Sequence, residues 1–378
     1  MKRYSFLLDT LKSENRFRVF PPHRHEVDYI DLSSNDYLGL RKDETKLRNV
    51  GITASNSSSA SRLLAVDQEN HNALESDLSN LYNRHATLFN SGYHANTGII
   101  GALGNANVLF LADKLVHASI IDGLKLSQCD FKRFPHNNIE AVKKILRQKA
   151  QDYEMVWIIV ESIYSMDGDV APLRELVELK KEFTNIFLYV DEAHGFGVRG
   201  TKGLGLCEET DTIKDIDIII GTFGKAACSI GAFAIAEEEL THYIRNYARS
   251  LIFSTALPPY NVAWSRQVIS ELVNLNHRRQ RLCEISAYFR DRLNKLGYVV
   301  PSGDTPIIPL ITGSAESALD ISAVLEKENI LALPIRRPTV PAGGERIRFS
   351  LNATLSDEEI NKVLKVMAQL TNLVNYEG

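Results

Sequence analysis

The sequence GTFGKAA at residues 221–227 places a lysine shortly after the apolar run at residues 216–220. Small residues on both sides of Lys225 would let a flat ligand approach its amine at the end of a buried strand. Such an amine forms a Schiff base readily when desolvation or a nearby cation disfavours its ammonium form. A surface lysine in a turn is the alternative interpretation of this motif taken alone.

A second motif, YVDEAHGFGVRG at residues 189–200, supplies an acid and an imidazole. Asp191 follows a short apolar run and so lies at the carboxyl end of a predicted strand, where parallel sheets bind ligands. An anion there could keep the ring nitrogen of pyridoxal phosphate protonated, and His194 could hydrogen-bond its phenolic oxygen. The DEAH sequence also fits a metal site, a helix cap or a nucleotide hydrolase, but the chain has no GxxxxGK[ST] loop.

The stretch LFNSGYHAN could hold the phosphate of such a cofactor. Ser91, Gly92 and Tyr93 precede a predicted helix, whose first N–H groups and dipole attract an anion. Thr222 adds a hydroxyl three residues before the lysine. His117 begins another predicted helix and could stack its imidazole on the cofactor ring. An ordinary helix cap and a buried polar histidine are the alternatives for these motifs.

Seven motifs in order along the chain resemble those of the α-oxoamine synthases, a family of pyridoxal phosphate enzymes of fold type I. They are SGYHAN, DKLVHASIIDG, ESIYSMDGD, VDEAHGFGVRG, GTFGKAA, RSLIFSTALPP and RRPTVPAGGERIRFSLNA. The resemblance runs from about Asn35 to Thr354. It implies an α/β fold with a mostly parallel central sheet flanked by helices and a smaller α+β C-terminal domain.

The resemblance also implies a reaction, the decarboxylative condensation of an amino acid with an acyl thioester. The segment PTVPAG before ERIR looks most like the branch that condenses L-alanine with a pimeloyl thioester, on coenzyme A or a carrier protein, in biotin synthesis. Glycine with acetyl-CoA, serine with a long-chain acyl thioester, and a catalytically silent scaffold paralogue are the alternatives. SSSASR at residues 57–62 replaces the glycine-rich GSGGSR usual in the family, so the loop near the acyl substrate is expected to differ.

Matching positions carry roles across from the family. Lys225 would hold the cofactor as a Schiff base and then act as general base. Asp191 would pair with the pyridine nitrogen, His194 with the phenolic oxygen, and His117 would stack on the ring. Together with Ser91, Gly92, Tyr93 and Thr222, these residues form the predicted cofactor site.

Four further residues match positions around that site. Glu161 and Ser165, in ESIYSMDGD, match positions near the cofactor and the incoming acyl group. Ser254 and Thr255, in FSTALPP, match the stretch that reaches the phosphate from the neighbouring subunit. The resemblance therefore implies a homodimer with its site at the subunit interface.

Three arginines are candidates for substrate binding. Arg348, in ERIRFS, matches the arginine that grips the carboxylate of the amino acid, a task suited to a planar bidentate donor. A solvated strand charge between Ile347 and Phe349 is the alternative. Arg16 and Arg18 both lie where the family places an arginine at the substrate entrance.

Composition limits the other possibilities. The 378 residues carry a formal net charge of −4 and are 44% hydrophobic, which is ordinary for a folded chain with a sizeable core. No basic tract indicates a nucleic acid partner. Four scattered cysteines fit neither a disulfide framework nor a zinc site and predict a reducing compartment. Without a targeting segment or an apolar run of spanning length, we expect a cytoplasmic protein without a membrane partner.

Apolar patterning predicts three regions along the chain, and the family resemblance implies their roles. Residues 1–37 form an N-terminal helical segment at the substrate entrance, 38–260 a large cofactor-binding domain, and 261–378 a bridging helix with a small C-terminal domain. The clearest strands of the large domain are predicted at residues 108–112, 156–161, 187–191 and 216–221. In the C-terminal region we expect strands at 307–311, 330–333 and 346–351, and helices near 315–328 and 356–373.

Overall fold

A computed structural model describes residues 2–20, 29–41, 54–104 and 107–374. The chain divides into two compact units. The large unit comprises residues 38–165 and 170–279, and the small unit comprises residues 1–37, 166–169 and 280–378. Each unit is described separately below.

The described helices and strands follow the chain in this order. The α-helices are α1 (Lys2–Ser13), α2 (Glu69–Tyr82), α3 (Gly92–Leu103), α4 (Ala118–Ser127), α5 (Ile139–Lys149), α6 (Leu173–Lys181), α7 (Leu206–Glu209), α8 (Glu238–Tyr247), α9 (Arg249–Ile252), α10 (Pro259–Leu272), α11 (Asn276–Lys295), α12 (Ala315–Lys327) and α13 (Asp357–Ala368). The strands are β1 (Ile30–Asp31), β2 (His85–Phe89), β3 (Val108–Asp113), β4 (Asp130–Phe134), β5 (Met155–Glu161), β6 (Ile186–Asp191), β7 (Ile218–Thr222), β8 (Ala232–Ala236), β9 (Ile307–Ile311), β10 (Ile330–Leu331), β11 (Leu333–Ile335) and β12 (Arg346–Ser350). Short 3-10 helices lie at Ala150–Asp152 and Thr371–Leu373.

The large unit is built on a seven-stranded sheet in the order β2-β8-β7-β6-β5-β3-β4. The strands from β7 to β4 are parallel, and β8 runs antiparallel to both of its neighbours. The central strands are continuous apolar runs because helices cover parallel sheets on both faces. The predicted α/β fold with a mostly parallel sheet is confirmed.

The predicted strands of this sheet are present with small shifts at their ends. The largest shift is in β7, which begins at Ile218 rather than at Ile216. The N–H of Ile216 donates to the carbonyl of Thr212 at 3.2 Å, so this residue still belongs to the preceding turn. Its carbonyl accepts from the guanidinium of Arg84 instead of from a neighbouring strand. An apolar run therefore predicted the strand but not its first residue.

The small unit contains a three-stranded antiparallel sheet, β11-β12-β9, and a short parallel pair, β1-β10. The predicted strand at 330–333 is divided between β10 and β11. Helix α13 ends at Ala368, earlier than predicted, and begins with the capping box of Ser356 and Glu359 expected from their spacing.

The boundary between the units lies inside α11, between Arg279 and Gln280. The sequence placed it near residue 260, before one long bridging helix. The chain instead forms two helices, since Asn274 and Leu275 make tight turn hydrogen bonds after α10. Helix α10 packs against α2, and its apolar face, including Val262, Val268 and Leu272, is buried in the large unit.

A bilayer-spanning helix needs about 20 apolar residues. None of the described helices combines that length with sufficient apolarity.

Candidate active site

Lys225 lies in the loop after β7, half-buried and in contact with His194. The Nζ atom is 2.9 Å from Nε2 of the imidazole. His194 is 5% exposed, and it is held in a helical turn after β6 in which the N–H groups of Gly195 and Phe196 donate to the carbonyl of Glu192. The ends of two adjacent parallel strands therefore bring the predicted amine and imidazole together.

Asp191 ends β6 and is 4% exposed. Its Oδ1 accepts a hydrogen bond from the N–H of Ala193 at 2.8 Å, and its Oδ2 accepts one from Nδ2 of Asn96 at 2.7 Å. These donors hold the carboxylate in a fixed orientation. Each carboxylate oxygen has two lone pairs, so Asp191 retains the capacity to accept from a protonated ring nitrogen.

Glu161 ends β5 directly beside Asp191, since the two residues are register partners on adjacent strands. It is 3% exposed. Burial and the neighbouring carboxylate of Asp191 raise its pKa to about 8, against the opposing effects of Lys225 and of backbone hydrogen bonds from His117 and Ser165. Its Oε1 is buried and has no hydrogen-bond partner among the described residues. The carboxyl group thus keeps a proton at neutral pH and has an oxygen that no described side chain engages.

His117 precedes α4 and caps its first turn, with Nδ1 accepting from the N–H of Ser119 at 3.2 Å. The residue has an exposed face, although partial burial lowers the pKa of its imidazole. A neutral, flat ring with one open face suits stacking on an aromatic ligand. The stacking role itself stays a prediction.

The predicted phosphate cradle is a helix start beside a threonine. Ser91 caps α3, its hydroxyl accepting from the N–H of His94 at 3.2 Å. A side chain at Gly92 would place its Cβ 4.0 Å from Oγ1 of Thr222, so the helix start and that hydroxyl are neighbours. The first N–H groups of a helix have no partner within it and attract anions. The hydroxyl of Tyr93 is engaged differently, since it donates to Asp122.

Ser254 and Thr255 lie beside this cradle within the same chain. The carbonyl of Thr255 accepts from Nδ2 of Asn90 at 2.7 Å, and Thr255 forms an antiparallel bridge with Ser61. Ser254 is half-buried and Thr255 is exposed. Their predicted action across a subunit interface stays a prediction.

Arg348 lies on β12 of the small unit and is 3% exposed, so it is not a solvated strand charge. Its Nη1 donates to Oγ of Ser350 at 2.6 Å, and its Nη2 donates to Oδ1 of Asn35 at 3.1 Å. The hydroxyl of Tyr37 is 3.4 Å from the same nitrogen. These contacts engage both terminal nitrogens and hold the planar guanidinium in place. Its binding of a carboxylate stays a prediction.

The two other arginines lie near the N-terminus of the small unit. Arg16 is half-buried and pairs with Glu14 at 2.6 Å, whereas Arg18 is exposed and donates to Oγ1 of Thr339 at 3.1 Å. Burial and the charge of Arg18 lower the pKa of nearby Arg336. Neither contact selects one of the pair as the entrance residue, and both assignments stay predictions.

Sequence reasoning missed three residues that support this site: Asn96, Ser119 and Tyr189. Asn96 lies within the SGYHAN motif and Ser119 within DKLVHASIIDG, but neither was given a role. Asn96 contacts Ser119, Asp191 and Tyr189, which are 23, 95 and 93 residues away in the chain, so no local pattern could identify this connection. Among the described residues, no group of three or more histidine, cysteine, aspartate or glutamate side chains is placed to hold a metal ion.

Comparison with known proteins identifies the family. Residues 27–367 match the profile of "Aminotransferase class I and II", and the chain belongs to this family. A Haemophilus influenzae protein named "Putative 8-amino-7-oxononanoate synthase" is 43% identical over 96% of this chain and 99% of that protein. A protein of the same name from Neisseria meningitidis serogroup A is also 43% identical, with the same coverage.

Two solved structures agree with this assignment. Serine palmitoyltransferase from Sphingomonas wittichii has a TM-score of 0.85 and 30% identity, covering 92% of this chain and 88% of that one. The 8-amino-7-oxononanoate synthase of Francisella tularensis has a TM-score of 0.76 and 26% identity, covering 92% of this chain and 99% of that one. The resemblance to the α-oxoamine synthases is thereby confirmed, and with it the pyridoxal phosphate cofactor.

The residues of the large unit fit this cofactor. The half-buried amine of Lys225, the fixed carboxylate of Asp191 and the helix start beside Thr222 are the donor and acceptor types that an aldehyde, a pyridinium and a phosphate require. Beside Asp191, the buried Oε1 of Glu161 has no hydrogen-bond partner among the described residues.

Proposed function

We propose that this enzyme condenses L-alanine with a pimeloyl thioester, with loss of carbon dioxide, to give 8-amino-7-oxononanoate. The observation that carries the chemistry is the contact of 2.9 Å between Nζ of Lys225 and Nε2 of His194, beside the fixed carboxylate of Asp191. The names of relatives that are 43% identical support the choice of substrates.

Bound pyridoxal phosphate supplies an aldehyde that joins an amine and a protonated ring that takes up electrons released at the α-carbon of the substrate. Lys225 would hold it covalently, and Asp191 would keep its ring nitrogen protonated because a carboxylate stabilises the adjacent cation. Ser91, Gly92 and Thr222 would hold its phosphate.

The reaction then needs a proton acceptor near the α-carbon. Nζ of Lys225, once neutral, would take the α-proton of alanine, with His194 as its hydrogen-bond partner. A carbon–carbon bond forms between the α-carbon and the thioester carbonyl, and the thiolate leaves. The carboxylate departs as carbon dioxide, and a proton returns to the α-carbon. Arg348 would bind the carboxylate of the amino acid before that departure.

The proposal also includes the oligomeric state of the enzyme and its location in the cell. We infer a homodimer in which Ser254 and Thr255 of one subunit reach the phosphate bound by the other, and we infer that the enzyme works in the cytoplasm. Sedimentation of the purified protein tests the first inference, and a monomer that retains full activity would contradict it.

Covalent attachment is tested by reducing the protein with borohydride in the presence of pyridoxal phosphate and mapping its peptides by mass. We expect the phosphopyridoxyl group on Lys225, and none in the Lys225→Ala variant. An adduct at another residue, or a protein that stays colourless with the cofactor, would refute the proposal and favour the silent scaffold.

Substrate choice is tested by pairing L-alanine, glycine and L-serine in turn with pimeloyl-CoA, acetyl-CoA and a long-chain acyl-CoA. Free thiol and carbon dioxide should be released in equal amounts, and fastest with alanine and the pimeloyl thioester. Faster turnover with a pimeloyl carrier protein would identify the preferred carrier. Preference for glycine and acetyl-CoA would overturn the assignment of substrates but not that of the reaction.

A second candidate is condensation of serine with a long-chain acyl thioester. The structural similarity to the Sphingomonas wittichii serine palmitoyltransferase, with a TM-score of 0.85, favours it. The same set of amino acid and acyl-CoA pairs distinguishes the two candidate functions. The second candidate requires the highest rate with L-serine and the long-chain thioester.

A further inference from the structure

Asn96 is a buried carboxamide that connects three elements of the large unit. It lies on α3 and is 1% exposed. Its Nδ2 donates to Oδ2 of Asp191 at 2.7 Å and to Oγ of Ser119 at 2.9 Å, while its Oδ1 accepts from the hydroxyl of Tyr189 at 2.7 Å. A carboxylate only accepts, and burial raises the pKa of the Tyr189 phenol so that it keeps its proton. The partners therefore dictate which end of the amide faces Asp191.

Ser119 extends this connection to His117. Its hydroxyl accepts from Asn96, so its own hydrogen is available to donate to Nδ1 of His117, 2.8 Å away. The N–H of Ser119 donates to the same nitrogen. With Nδ1 acting as acceptor, the neutral imidazole carries its proton on Nε2. Partial burial lowers the pKa of His117 and favours that neutral form.

Close packing of α3 and α4 makes these contacts reachable. A Cβ added at Gly123 of α4 would lie 2.9 Å from the backbone oxygen of Asn96 and 3.0 Å from Cβ of Ile100. Only a residue without a side chain lets the two helices approach this closely. The start of α4, with His117 and Ser119, is thereby held against the middle of α3.

We propose that Asn96 is a positioning residue for the reaction, in which one carboxamide sets both the Asp191 carboxylate and, through Ser119, the tautomer and ring orientation of His117. The inference rests on the proposed function, which gives Asp191 and His117 their tasks at the cofactor ring. Loss of the Nδ2 donors would release both residues at once, whereas loss of the Ser119 hydroxyl would release only His117.

The tautomer is tested without cofactor, by nitrogen NMR of histidine-labelled protein. Wild type should show His117 protonated on Nε2. Ser119→Ala and Asn96→Leu should each show a mixture with the Nδ1-protonated form, and Ser119→Thr, which retains the hydroxyl, should restore the wild-type signal. Tyr189→Phe is the matched control, because it disturbs the same amide but leaves both Nδ2 donors. A mixture in this control as large as in Asn96→Leu would overturn the proposal.

The effect on Asp191 is tested by cofactor affinity, measured from the absorbance of bound pyridoxal phosphate. Asn96→Leu should weaken binding about 10-fold or more, in line with loss of a buried hydrogen bond to a charged group. Ser119→Ala should weaken it by only about threefold, since the Asp191 contact remains. Wild-type affinity and an unchanged tautomer in both variants would refute the proposal.

These outcomes separate the inference from the proposed function. If wild type itself fails to bind the cofactor at Lys225, the proposed function is wrong, whereas the tautomer measurement needs no cofactor. Should Asn96→Leu not fold, as judged by circular dichroism, Ser119→Ala and its threonine partner decide the proposal by the same measurements.

Discussion

Glu161 and Glu192 are both buried but differ in their hydrogen-bond partners. Glu161 is the last residue of β5, and Glu192 lies just after the adjacent strand β6. Glu192 follows β6 and is fully enclosed: Ser162 donates its hydroxyl at 2.5 Å, and the N–H of Cys207 donates at 2.7 Å. A Cβ added at Gly195 would lie 1.9 Å from its carboxylate. Glu161 has backbone donors, but its Oε1 has no partner among the described residues.

The two carboxyl groups differ in how fully hydrogen bonds from the described chain satisfy their oxygens. Burial raises the pKa of both groups, but hydrogen bonds from Ser162 and Cys207 oppose the effect at Glu192. At Glu161 the carboxylate of Asp191 adds to the effect of burial, and the pKa reaches about 8. Glu192 therefore stabilises the loop that carries His194, whereas the raised pKa of Glu161 favours its protonated form beside Asp191.

The largest effect is expected from Glu192→Ala, which opens a cavity and leaves the donors on Ser162, Leu206 and Cys207 without an acceptor. The free energy of unfolding should fall by about 3 kcal/mol. Urea unfolding of the protein without cofactor measures it. The matched variant Glu161→Ala should lose less, because it leaves only the backbone N–H groups of His117 and Ser165 without an acceptor and no side-chain donor. Equal losses in the two variants would remove the distinction between them.

An effect that depends on pH, and that is smaller per pH unit than the loss in Glu192→Ala, is expected from Glu161→Gln. The folded protein holds this proton up to about pH 8, but the unfolded chain loses it near the ordinary value of 4.5. Between these values the unfolded state binds fewer protons, so this group makes the free energy of unfolding fall as pH rises, by up to about 1.4 kcal/mol per pH unit.

The glutamine variant should lack this contribution, so wild type should lose stability relative to the variant from pH 5 to pH 8. Urea unfolding at pH 5, 6, 7 and 8 gives the two slopes. Parallel slopes for wild type and variant would show that Glu161 ionises normally in the folded protein.

The smallest effect is expected from Ser162→Ala, which removes one of the donors to Glu192 and keeps the others. The loss in free energy of unfolding should be about 1 kcal/mol. Because that hydrogen bond lowers the pKa of Glu192, the variant should also lose stability more steeply than wild type as pH rises. A loss as large as that of Glu192→Ala would mean that the serine, not the carboxylate, holds the loop.

The sequence predicted the parts of the site that depend on one strand and its end. Asp191 and Lys225 each follow an apolar run, and parallel strands place such residues at one edge of a sheet. The direction of β8 was not predicted, because its apolar run AFAIA is the same for either orientation. The break between α10 and α11 was missed because the amphipathic pattern continues across it.

The supporting contacts were beyond sequence reasoning for a physical reason. Asn96 and Asp191 are 95 residues apart in the chain. They meet only because α3 packs against the sheet and brings Asn96 to the end of β6. The pKa of Glu161 likewise depends on its register with Asp191 across two strands. A motif names the residue types, but only tertiary packing decides which of them touch.

The antiparallel placement of β8 also bears on how the chain folds. The lysine loop joins two adjacent strands as a hairpin, closed where the N–H of Phe223 donates to the carbonyl of Gly231 at 2.9 Å. Closing this short loop costs little chain entropy. The parallel pairs cost more, because a long crossover connection separates their strands. We therefore expect the segment around Lys225 to acquire its native geometry early, before the distant strands that complete the sheet have joined it.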